Sequence, residues 1–125
     1  MSSKNPAQRL FDIIENIDAI KTFIANLDFP AFRADRRTVY AVVRALEIIS
    51  EASRRLPEQL LHRHPEIDWV AIAAAGNVYR HEYEAVEEAL IWHTIRHDLA
   101  ALRSVANEEF LRLQTDLPPN NQTTG

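Results

Sequence analysis

Residues 35–56 read DRRTVYAVVRALEIISEASRRL, and the apolar positions Val39, Val42, Val43, Leu46, Ile49 and Leu56 recur at the spacing of one face of an α-helix. Asp35 ahead of the run is a residue type that caps a helix, and Pro57 behind it stops one. Small residues Ala41, Ala45, Ser50 and Ala52 punctuate the same stretch, so a neighbouring helix can approach closely, from this chain or from a second subunit. Arg44 and Glu47, one turn apart, fit either an ordinary surface ion pair or the lining of a cleft.

Upstream, Leu10, Ile13, Ile14, Ile17, Ile20, Phe23, Ile24 and Leu27 keep helical spacing, which predicts a helix from Pro6 to about Leu27 with Asn5 as its N-cap. Asp28 to Ala34, with Pro30 inside, reads as a connector. Downstream, PEQLLHRHP (57–65) predicts one short helical turn with a loop. His62 and His64 there point to opposite sides, which argues against a shared metal and for two solvated rings. Glu66 or Asp68 starts a further helix at Trp69, and a last long helix is expected from about Ala85 to Leu113. His93 and His97 lie four apart in it, but HTIRH lacks the HExxH order, so a paired or solvated role is expected rather than metal binding. The tail DLPPNNQTTG (116–125) has little apolar content and two prolines, the composition of a disordered segment.

Two glycines and no β-branched alternation give no basis for strands or hairpins. With 125 residues, 46% of them hydrophobic, the chain can build one core. The expected fold is all-α, an antiparallel bundle of three long helices plus shorter segments, as a single domain over residues 1–115.

The net charge of −4 conceals a gradient. Residues 33–80 hold eight Arg against six acids, an excess of +2, whereas residues 81–125 hold three Arg against eight acids, or −5. An anion is therefore expected at the central third. The absence of cysteine excludes disulfides, thiolate metal sites and a thiol nucleophile. MSSKNPAQ has no apolar leader core and no apolar run is long enough to span a bilayer, so a soluble, cytoplasmic protein without membrane partners is expected.

Residues 69–83, WVAIAAAGNVYRHEY, hold the densest set of reactive side chains: Asn77, Tyr79, Arg80, His81 and Tyr83. An imidazole titrates near neutrality, and on a continuing helix Asn77 stands one turn before His81 on the same side. Such a group suits metal-free transesterification of RNA, in which a base activates the ribose 2′-hydroxyl and cations or amides stabilise the phosphorane-like state. A half-buried polar seam between helices fits the same residues.

The blocks RALEIISEASRRLP (44–57), HPEIDW (64–69), AAGNVYRHEYEAV (74–86) and ALIWHTIRHDLAAL (89–102), in this order, resemble the HepT family of the HEPN superfamily over residues 8 to 112. The resemblance implies an all-α, dimerising ribonuclease toxin of a type VII toxin–antitoxin module. Its partner would be a minimal nucleotidyltransferase antitoxin, which adds AMP to the toxin. The family motif is an Arg, commonly followed by a polar residue, and a few residues later His-x-Tyr. Carried over, His81 is catalytic, Tyr83 is the AMP acceptor, and Asn77 falls on the polar position. Arg80 is the nearest cation for catalysis and, with Arg44, for binding RNA phosphate. No metal or cofactor is implied. Ala74, Ala75 and Gly76 stand where the motif Arg is expected. A catalytically inactive helical binding or assembly protein therefore remains the alternative.

Overall fold

The computed structural model describes residues 5–76 and 84–116, the side chains of 84–87 and 116 excepted. Four of the helices, α1, α2, α3 and α5, start where a short polar side chain satisfies an otherwise unpaired N–H group. Asn5 accepts from the Ala7 N–H at 3.0 Å and opens α1 (Pro6–Phe23), with Pro6 at a first-turn position that needs no donor. Asp35 accepts from the Thr38 N–H at 3.3 Å and opens α3 (Arg36–Arg54). Asp68 accepts from the Ala71 N–H at 3.0 Å and opens α5 (Trp69–Ala75). The remaining elements are α2 (Phe29–Ala34), α4 (Glu58–His62), α6 (Glu84–His97) and α7 (Leu99–Asp116). Among the described residues the fold is all-α.

Three expectations need correction. The first helix ends at Phe23 and not at Leu27, because Asn26 adopts a positive φ of 68° and turns the chain. Ile24 and Leu27 still pack against the core from this turn. The connector 28–34 holds a helix: Asp28 caps it through the Ala31 N–H at 3.0 Å, and Pro30 sits in the first turn, where its missing N–H costs nothing. The single helix expected from Ala85 to Leu113 is two, α6 and α7, interrupted at Asp98.

α1 and α3 pack along each other, α7 covers α1, and α5 lies on α3. The stripe read from the sequence is the buried side of α3, with Val39, Val42, Leu46 and Ile49 almost wholly enclosed alongside Leu10, Ile13, Ile17 and Ile20 of α1. Phe32 of α2 is fully buried, its ring centroid 5.0 Å from that of Trp92 on α6. Asp18 and Arg103 join α1 to α7 through two hydrogen bonds of 2.7 and 2.9 Å. No helix of the described residues is long and apolar enough to cross a membrane.

Candidate active site

Asn77, Tyr79, Arg80, His81 and Tyr83 lie outside the described residues. The structure instead defines the frame that holds both flanks of this stretch. On the upstream side α5 runs back along α3, with Ala73 beside Arg54 and Gly76 beside Glu47 and Ser50. The Ser50 hydroxyl donates to the Ile72 carbonyl at 2.8 Å and accepts from the Gly76 N–H at 2.9 Å. One turn along α3, the Arg54 guanidinium donates to the Ala73 carbonyl and to Glu51, the latter at 3.0 Å. The C-terminal carbonyls of a helix carry partial negative charge, so a guanidinium is a fitting cap. For Ser50, the close neighbour expected beside the small residues of this helix is therefore α5 of the same chain.

Gly76 is required by this contact and not by a special backbone angle, since its φ is −73°. A Cβ placed on it would stand 2.9 Å from the Glu47 Cα and 3.0 Å from the Ser50 Oγ. The first is backbone and cannot swing aside. An arginine at position 76 is incompatible with this packing; Ala75 is buried as well, and of the three positions only Ala74 faces solvent.

On the downstream side Glu88 of α6 pairs with Arg33 of α2 at 3.4 Å. Between the two anchoring points α3 presents Arg36, Tyr40 and Arg44 outward. Arg36 donates to the Tyr40 hydroxyl at 2.7 Å, and its guanidinium carbon lies 5.3 Å from the Tyr40 ring centroid. Arg44, whose side chain is 71% exposed, pairs with Glu47 at 3.2 Å, the surface ion pair that the sequence allowed.

A second polar cluster lies apart from this frame. Glu109 of α7 is 1% exposed and receives two hydrogen bonds from Arg63, at 2.7 and 3.1 Å, together with a contact from His64 Nε2. Arg112 adds a second guanidinium at 3.5 Å. The hydrogen bonds from Arg63 outweigh burial and hold the Glu109 carboxyl down at about 2. His64 is accordingly buried, 6% exposed, and not solvated as expected; His62 is exposed. One ligand atom each of His64, Glu108 and Glu109 lie within 4.8 Å of one another. Because the Glu109 oxygens are already occupied by Arg63 and His64, this is the donor set of a neutralised carboxylate and not of a cation site. His93 and His97, the other spaced pair, are exposed with ring centroids 4.3 Å apart.

Ser50 and Glu109 had no local signal in the sequence, their partners lying 26 and 45 residues away. An acid among the apolar residues of the last helix was the only available sign of the second.

Comparison with known proteins agrees with the frame. Residues 13–109 match the family described as "Ribonuclease HepT-like". A probable ribonuclease HepT of Thermococcus cleftensis is 38% identical over 94 residues, covering 75% of this chain and 86% of that protein. A putative RNase of Methanocaldococcus jannaschii is 33% identical over 95 residues, covering 76% of this chain and 78% of its own length. A putative RNase of Caldanaerobacter subterraneus is 30% identical over 105 residues, covering 84% and 94% respectively. No solved structure gives a significant match. On a match that runs from within α1 to within α7, the chain belongs to the HepT-like ribonuclease family.

Proposed function

We propose that this chain is the toxin component of a type VII toxin–antitoxin module, a metal-independent endoribonuclease silenced when a minimal nucleotidyltransferase adds AMP to Tyr83. The observation that carries the reading is the family match, which spans the stretch holding His81 and Tyr83. His81 serves as general acid or base. As base it takes the proton of a ribose 2′-hydroxyl, whose oxygen then bonds to the adjacent phosphorus. The bond to the 5′-oxygen breaks, and that oxygen takes up a proton. Asn77 and Arg80 position the phosphate and offset its developing charge, with Arg44 holding phosphate nearby. The reaction consumes neither metal nor cofactor. The protein works as a cytoplasmic homodimer of one bundle domain over residues 1–115, with 116–125 as its tail.

Expression of wild type and His81→Ala tests the nuclease. Wild type is expected to slow growth and degrade cellular RNA, and His81→Ala to do neither; intact RNA and equal growth in both would sink the claim. Incubation with the cognate nucleotidyltransferase and ATP is expected to add the mass of AMP to wild type but not to Tyr83→Phe. An unchanged wild-type mass spectrum rejects the modification.

A second reading, an inactive binding or assembly protein, is favoured by one observation: position 76 is closed to arginine by Glu47 and Ser50. It predicts RNA binding or partner binding without cleavage.

A further inference from the structure

We infer that the groove at the start of α5 docks a cationic segment of a different protein, which the reading above makes the nucleotidyltransferase. The inference rests on that reading and names the surface by which the enzyme holds the chain whose Tyr83 it modifies.

The groove encloses about 680 Å³ between α4 and the first turn of α5, and its lining consists wholly of described residues. Leu61, Ile67, Trp69 and Val70 make its apolar side. The Trp69 indole N–H donates to the Leu61 and His64 carbonyls at 3.2 and 3.1 Å, so the ring is held in place before a ligand arrives and little freedom is lost on contact. Val70 is 81% exposed, the most exposed large apolar side chain among the described residues. An aliphatic side chain left in water beside an apolar hollow with a polar rim is the pattern of an interaction site.

Charge names the occupant. The lining holds the exposed carboxylates of Glu58, Glu66 and Asp68 but no Lys or Arg, and among the described residues none of the three pairs with a Lys or Arg. A smaller hollow of about 150 Å³ shares Glu66, Ile67 and Asp68 with the groove and adds Asp98 from the junction of α6 and α7, so the acidic side continues past the groove. Phosphates of RNA are repelled from such a surface. A second copy related by a two-fold axis would bring the patch onto itself and set carboxylate against carboxylate. A second copy offering another face would make a heterologous contact, which propagates unless it closes into a ring. The complement of this surface is therefore a different protein, with an aliphatic side chain for the hollow and Lys or Arg on either side of it.

Placement ties the groove to Tyr83. α5 has seven residues, about 10 Å of helix, and residues 77–83 follow in sequence from its far end at Gly76. Ser50 and Arg54 fasten that end to α3. A partner seated on Trp69 and Val70 thus grips the anchored root of the stretch, while the lining of the groove includes none of residues 77–83.

The test separates docking from modification. The full chain is titrated calorimetrically with the purified cognate nucleotidyltransferase, as wild type and as Val70→Arg and Glu58→Lys. Both positions are exposed, so both variants should unfold with wild type in a thermal scan. Each is expected to weaken binding about tenfold, because each sets a cation against the cationic partner and Val70→Arg also fills the hollow. Added salt should weaken wild-type binding, and should do so less in Glu58→Lys. In AMP transfer followed by mass spectrometry, KM for Val70→Arg should rise about tenfold with kcat within about twofold of wild type, since the groove lies apart from the reacting tyrosine. Unchanged affinity in either variant, binding indifferent to salt, or no binding of the enzyme by wild type would each overturn the docking surface. So would a Val70→Arg chain that loses oligomeric mass in light scattering while binding the enzyme normally, since the groove would then belong to a second copy. If wild type binds the enzyme through the groove but gains no AMP, the modification reading falls and the docking surface stands. If both variants gain AMP with the wild-type KM, the docking surface falls and the modification reading stands.

Discussion

A methyl group is the smallest side chain with a Cβ, and at position 76 it already meets α3. Two effects of Gly76→Ala oppose each other. Gly76 sits at the end of α5 with a helical φ, where alanine ordinarily gains about 0.4–1 kcal/mol by restricting the unfolded chain. Against that stands an approach of 2.9 Å to the Glu47 Cα, a backbone atom, and such overpacking costs about 1–3 kcal/mol. The contact wins, so thermal unfolding of Gly76→Ala is expected several degrees below wild type. Ala74→Ser, at an exposed neighbour, is expected to unfold with wild type. A Gly76→Ala chain as stable as wild type would mean that α5 does not lie this close to α3. The sequence showed a glycine where a motif arginine was expected; it could not show that the space is already filled, because Glu47 and Ser50 become neighbours of residue 76 only once the helices pack.

At the level of elements, Glu109 joins α7 to the turn after α4. Its carboxyl is depressed from 4.5 to about 2, chiefly by Arg63, so the sign of its pH effect is fixed. A depressed acid adds stability that is complete above its unfolded value and is lost as pH falls toward the folded one. The window is therefore pH 4.5 down to about 2, and the amount is about 3 kcal/mol. Urea unfolding of wild type should lose stability across that window. Glu109→Gln should start lower at pH 7 and decline less; equal acid slopes in the two chains would remove Glu109 from the account. The exposed carboxyls of Asp18 and Asp35, also held low by hydrogen bonds from Arg103 and Thr38, supply a background common to both chains. The helix starts were legible because caps are local: Asn5, Asp35 and Asp68 each bond within three residues. The helix in 28–34 was missed because Pro30 reads as a break when its position relative to the cap Asp28 is not weighed.

For the molecule as a whole, helical periodicity identified which faces go inward, and Val39 through Ile49 and Leu10 through Ile20 are buried as the spacing requires. Periodicity does not name the partner of a face. Hence the pairing of α5 with α3 and the tie from His64 to Glu109 emerged only from the packed chain. The excess of arginine in the central third was legible, but its division was not: Arg54 and Arg63 are engaged in holding helices together, while Arg36 and Arg44 point outward. The seam at Gly76 also bears on how such a sequence can change. In the genetic code a glycine codon lies one base from an arginine codon, so the replacement is readily sampled by mutation. The folded chain nevertheless rejects it until α3 has first drawn away from Glu47 and Ser50, which makes the order of substitutions, rather than their supply, the barrier on that route.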